Sequence, residues 1–203
     1  MTFSKRLFDI FFAILFLLPL LPGMLVIALV ILLKDGRPIL YRAERMKTPK
    51  QSFRLWKFRT MRVVAADSGV TGPDKADRIT KTGAFLRRYR MDEWPQLWNI
   101  LRGDMSFVGP RPPLRRYVVK YPALYRQVLQ AQPGVTGLAT VLFHRHEEIL
   151  LSGCKTAAAT ERVYCNRCVP RKARLDLIYQ ERATRCLDVL IIIKTLFRSM
   201  PIK

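Results

Sequence analysis

Acidic side chains are scarce in this sequence: 15 Asp and Glu stand against 36 Lys and Arg in 203 residues, a formal charge of +21. Such an excess predicts an anionic partner, whether nucleic acid, anionic lipid or a phosphorylated substrate. The basic residues gather in no single arm or helix, which favours a membrane surface over a nucleic-acid groove. Cysteine is sparse too. Cys154, Cys165, Cys168 and Cys186 all fall in the C-terminal third, and nothing resembles a cleaved export signal, so they read as reduced thiols facing the cytosol. There is no internal repeat and no low-complexity tract.

From Ile10 to Leu33 charge is missing altogether. As straight helix these roughly 24 residues would reach about 36 Å, against a hydrocarbon core of about 30 Å. An ordinary transmembrane helix with a proline kink is one reading. Pro19, Pro22 and Gly23 near the middle predict a sharp bend. Lys5 and Arg6 before the run and Lys34 and Arg37 after it pull both ends to the cytoplasmic face, which a re-entrant helix satisfies. Such a helix must satisfy its broken backbone within the membrane.

Half of the residues are hydrophobic, enough for one soluble domain with its own core beside the apolar element. The expected division is a membrane hairpin over 1–36 and a membrane-surface domain over 37–203. Alternation over Ile39–Tyr41 and Phe53–Phe58, split by Lys47-Thr48-Pro49-Lys50, predicts a hairpin carrying Lys57 and Arg59. Val64–Thr82 has no apolar period and reads as a surface loop. Helical spacing resumes at Ala84–Leu86. A helix is expected over Leu114–Gln130, a tight turn at Pro133–Gly137, and two helical patterns over Leu175–Phe197. The last, "CLDVLIIIKTLFRS", suits either the headgroup layer or a buried core.

Against this shortage of acids, "RYRMDEWPQLWNI" sets Asp92 and Glu93 side by side. Pro95 is tolerable only in a first helical turn, so Asp92 or Glu93 reads as the cap of a helix through Leu101. Ordinary capping is one explanation of the pair. Chemistry is the other: neighbours on a helix point about 100° apart, so one carboxylate can attack while its neighbour holds a metal. A helix N-terminus keeps a carboxylate ionised and draws in phosphate, which makes attack on phosphorus reasonable. Two anions meeting there require cations, and Mg²⁺ with Lys57, Arg87 and Arg111 would serve. Arg111 lies in "GDMSFVGPRPP", where flanking prolines stiffen the loop.

The segments "KRLFDI", "KFRTM", "MDEWPQLWNIL", "GDMSFVGPRP" and "PGVTGLA" occur in one order around the broken apolar run. Over Lys5 to about Ala139 the chain resembles the bacterial sugar transferases, the monotopic phosphoglycosyl transferases, in their minimal catalytic form without the multi-helix extension of larger relatives. The resemblance implies an α/β, mostly helical, membrane-associated domain on a re-entrant helix with interfacial amphipathic helices, at the cytoplasmic face of the bacterial inner membrane. It implies transfer of a phosphosugar from a UDP-sugar to polyprenol phosphate with release of UMP. Asp92 would be the nucleophile and Glu93 its partner at Mg²⁺, Lys57 would stabilise charge, and Arg87 and Arg111 would bind phosphate, with Arg59 and Arg145 as further phosphate ligands. The partners expected are UDP-sugar, polyprenol phosphate and anionic lipid, not nucleic acid; a homodimer is left open.

The chain departs from the family pattern in two places. Leu21-Pro22 stands where a Ser-Pro bend is usual, and "TVLFHRHEEILL" replaces the usual Gln-Val-Asn-Gly-Arg, with Arg145 in place of the missing arginine. His144, His146, Cys154, Cys165 and Cys168 have zinc-ligand chemistry but irregular spacing and a single CxxC, so free thiols on a helix are expected. Asp176 reads as a group behind the site or as a solvated helix acid. No Asp-x-Asp occurs, which argues against an ordinary nucleotide-sugar transferase. A lipid-binding scaffold or a membrane-tethered nucleic-acid binder are the competing readings.

Overall fold

The apolar run forms one uninterrupted helix, α1 (Phe3–Lys34), with Pro19 and Pro22 inside it. The computed structural model that shows this describes residues 2–63, 78–154 and 156–198; most of the loop expected over Val64–Thr82 lies outside them. By length and composition α1 is capable of crossing a membrane, yet it does not project from the domain. Asp9, Ala13, Ile27 and Ile31 are buried against it, and an added Cβ on Gly23 would lie 3.2 Å from the Trp94 ring. The opposite face exposes Phe3, Leu7, Phe11, Leu18, Leu21, Leu25, Leu29 and Leu33, an apolar stripe at helical spacing from end to end. Pairing with the protein also occupies the cations ahead of the run. Lys5 Nζ lies 2.9 Å from Asp188, and Arg6 donates to the carbonyls of Ile100 and Leu101, both at 2.6 Å.

The expected hairpin is present as β1 (Leu40–Met46) and β2 (Ser52–Phe58), paired antiparallel. Phe53, Leu55 and Lys57 share one face by the two-residue period. The first two enter a core with Leu97, Ile100, Phe107 and Ile191, and the third stands at its margin. After β2 come α2 (Lys81–Arg88), a 3₁₀ turn (Met91–Glu93) and α3 (Gln96–Arg102). Phe58, Leu86, Ile27 and Ile31 form a second core on the other side of Lys57. Each such buried side chain contributes about 1.5–3 kcal/mol, so the margin between the two cores is held firmly.

Two expectations change here. The helix over Leu114–Gln130 is two helices, α4 (Arg115–Lys120) and α5 (Pro122–Val128), because Pro122 drives Tyr121 out of the helical region. The turn at Pro133–Gly137 is instead a strand, β4 (Gly134–Thr136), parallel to β3 (Ser106–Val108); its partner is distant in sequence, so local turn residues mislead. The remainder is α6 (Leu138–Ser152), α7 (Ala157–Val163), a π turn (Tyr164–Cys168), α8 (Val169–Glu181) and α9 (Arg185–Arg198). Helix α9 is not a fully buried core helix, since it buries Asp188 and Ile191 while exposing Leu190, Ile193, Leu196 and Phe197. The molecule is therefore mostly helical, with two two-stranded sheets among the described residues.

Candidate active site

Lys57 reaches from the end of β2 to the 3₁₀ turn, where its Nζ lies 2.7 Å from Glu93 Oε1 and 4.0 Å from Asp92 Oδ2. Arg111 joins the same Glu93 oxygen at 3.1 Å, and Arg90 takes Oε2 at 2.7 Å. Arg90 adopts φ 55 to do so, a left-handed conformation costing a non-glycine residue about 1–2 kcal/mol. Three cations thus hold one carboxylate, whereas Asp92, itself buried, has among the described residues no ion pair closer than the 4.0 Å to Lys57.

Neither acid caps α3, contrary to the sequence expectation. The cap position is Pro95, with no side-chain hydrogen bond; Glu93 is instead taken by stronger, charge-assisted partners among the converging cations. Burial drives both acids upward. For Glu93 the combined fields of Lys57, Arg111 and Arg90 overcome it and hold the group well below the usual carboxylate range. For Asp92 burial prevails, with Glu93 adding to it and Lys57, Arg87 and Arg90 opposing. Burial also lowers Lys57, against the pull of Glu93. Two adjacent carboxylates of one chemistry are thereby made unlike: Glu93 is a fixed anion inside a cationic cage, and Asp92 is left available.

Arg111 owes its place to two loops that touch backbone to backbone. Gly109 N–H donates to the Thr136 carbonyl and Gly134 N–H to that of Pro110, each at 2.9 Å. A Cβ on Gly109 would lie 2.2 Å from the Gln132 carbonyl oxygen, and one on Gly134 2.2 Å from Gly109 N. Only glycine permits that approach, which is why "GPRP" and "PGVTG" act as one unit.

Arg87, Arg90 and Arg145 line one cavity of about 400 Å³ beside the pair, with His144, Thr140 and Thr195. Arg87 is oriented by donating Nε to Thr60 Oγ1 at 2.9 Å. Arg59 is directed elsewhere: its buried guanidinium donates to the carbonyls of Asp35, Gly36 and Arg37 at 2.6, 2.7 and 3.1 Å, fastening the end of α1. Sequence reasoning missed Arg90, although it stands inside the quoted motif two residues before Asp92, since neither charge nor spacing distinguishes it from its arginine neighbours. Asp176 is not solvated; it is buried on α8. Cys165 and Cys168 are buried thiols on the π turn, and all four cysteines are free.

Among the described residues no three His, Cys, Asp or Glu side chains converge on a metal position. Asp92 and Glu93 supply carboxylate oxygens, the donor type that Mg²⁺ takes from one or two residues before completing its shell with substrate phosphate and water.

Comparison with known proteins bears on this arrangement. The family model described as bacterial sugar transferase matches residues 1–201. A UDP-glucose:undecaprenyl-phosphate glucose-1-phosphate transferase of Escherichia coli (strain K12) is 33% identical over 96% of this chain and 40% of its own length. A UDP-N-acetylgalactosamine-undecaprenyl-phosphate N-acetylgalactosaminephosphotransferase of Aeromonas hydrophila is 32% identical over 96% of this chain and 43% of its own length. The exopolysaccharide production protein PSS of Rhizobium leguminosarum bv. phaseoli is 43% identical over 66% of this chain and 72% of its own. The chain thus spans less than half the length of the first two.

Proposed function

The chain belongs to the bacterial sugar transferase family, and from that premise we propose that it moves a phosphosugar from a UDP-sugar to polyprenol phosphate through a covalent bond to Asp92. The observation that carries this reading is the inequality of the acidic pair: Glu93 is held at 2.7–3.1 Å by Lys57, Arg90 and Arg111, and Asp92 beside it meets only Lys57, at 4.0 Å, among the described residues. A carboxylate oxygen of Asp92 attacks the phosphorus that bears the sugar. The P–O bond to the uridylyl phosphate breaks, and UMP leaves with that electron pair. An oxygen of polyprenol phosphate then attacks the same phosphorus, and the bond to Asp92 breaks, restoring the carboxylate and giving polyprenyl diphosphosugar. Lys57 and Arg111 on one side of Glu93, and Arg87, Arg90 and Arg145 on the other, lower the repulsion of phosphate approaching carboxylate. Mg²⁺ held through Asp92 and Glu93 would neutralise phosphate oxygens during the exchange.

Helix α1 fits a monotopic placement at the cytoplasmic face of a bacterial membrane. Both its ends meet the same domain while an apolar stripe faces outward, and bending at Pro19 and Pro22 in the bilayer would let it enter and leave one leaflet. Incubating the protein with radiolabelled UDP-glucose or UDP-N-acetylgalactosamine, Mg²⁺ and no acceptor should yield a phosphosugar adduct at residue 92 by mass spectrometry. Asp92→Asn should abolish both adduct and UMP release; turnover by that variant at the normal rate ends the proposal.

A further inference from the structure

The strand that carries Lys57 is half of an isolated hairpin, and two-stranded hairpins are marginal alone. Its free edge is closed by one side chain. Asn99 on α3 is fully buried; its Oδ1 accepts from Trp56 N–H at 3.0 Å, and its Nδ2 donates to the Arg54 carbonyl at 2.8 Å. In an antiparallel ladder alternate residues point their N–H and C=O to opposite edges, so Arg54 and Trp56 turn theirs away from β1. A carboxamide has the donor and acceptor of a peptide group in one plane, and here it stands where a third strand would. Asp104 Oδ2, 3.3 Å from Nδ2, fixes which way the amide faces. The clamp falls one residue before Lys57 and on the helix that follows Asp92 and Glu93, so it joins the two elements whose side chains must meet.

Resting on the reaction proposed above, we infer that Asn99 is the positioning residue that registers the Lys57 ammonium against Asp92 and Glu93. Neither alanine, aspartate nor glutamine can replace it: alanine has no polar atoms, aspartate cannot donate to Arg54, and glutamine would carry its amide one methylene beyond Trp56 and Arg54 from a fully buried position.

The test is a double-mutant cycle of Asn99→Ala with Lys57→Met. UMP release is followed with radiolabelled UDP-glucose or UDP-N-acetylgalactosamine and undecaprenyl phosphate, so that slow variants remain measurable. With Lys57 present, Asn99→Ala should lower kcat by about 100-fold and leave KM for the donor nearly unchanged, the scale of a misplacement near 1 Å. In the Lys57→Met background the same change should cost no more than about 2-fold, since the group it positions is gone. Equal losses in both backgrounds overturn the inference and leave Asn99 a purely structural residue. Should Asn99→Ala fail to fold, Asp104→Ala loosens the amide without emptying the core, and a smaller loss that vanishes with Lys57→Met is expected; an undiminished loss overturns the inference. An unaltered chain that releases no UMP refutes the reaction itself, a separate result.

Discussion

Replacing Asp176 with asparagine should remove a pH-dependent instability whose size follows from the structure. The side chain is buried on α8. The cation it feels is Lys172, and Lys172 is already committed to Glu147, with Nζ 3.0 Å from both oxygens. Burial therefore prevails and pushes the Asp176 carboxyl up to about 7, from an ordinary 3.8. Because the folded state keeps a proton that the unfolded chain releases, this contribution to stability is complete below about pH 4, declines as pH rises to about 7 and is flat above that. At about 1.36 kcal/mol for each pH unit, the ionised group costs the fold about 4 kcal/mol at pH 8, of which about 3 kcal/mol accrues above pH 5. The assay is thermal unfolding of the full chain and of Asp176→Asn in nanodiscs at pH 5 and pH 8. Any constant cost of burying asparagine, and any other group that titrates, cancels in the difference between the two pH values. The variant should gain on the unaltered protein by about 6–12 °C between pH 5 and pH 8, taking about 2–4 °C for each kcal/mol. A difference in melting temperature that does not change with pH would refute the reasoning, because it would mean that Asp176 is ionised or solvated throughout.

Three further outcomes are expected. Arg90→Gly deletes the ion pair to Glu93 but relieves the left-handed backbone, so melting should change little while UMP release falls by about 100-fold. Arg59→Met removes charged hydrogen bonds to three carbonyls, each worth about 1.5–3 kcal/mol, so it should lower the melting temperature without raising KM for the UDP-sugar; a KM effect alone would return Arg59 to the substrate. Gly134→Ala forces a Cβ against Gly109 N and should cost about 3 kcal/mol in denaturant unfolding, together with loss of activity as Arg111 moves.

Much of the site is legible in the sequence because its signals are local. The Asp92-Glu93 pair, the prolines around Arg111 and the alternation that carries Lys57 each occupy a few consecutive residues. The elements misjudged are those settled at a distance. Pro133–Gly137 has the composition of a turn but pairs with Ser106–Val108. The solvated reading of Asp176 ignores what α8 packs against. The contacts of Arg59 with the carbonyls after α1 were equally out of reach of local sequence.

By itself, then, the sequence determined the long apolar helix, the hairpin, the acidic pair and the cationic surplus, since periodicity and charge act over a few residues. Tertiary structure alone decided which of the many cations surround Glu93, that Asp92 is held less closely by them, and that Asn99 ties Lys57 to both. The reason is that electrostatic fields and burial depend on distances through space, and the chain brings residues 57, 90, 93 and 111 together only after its helices and strands have packed.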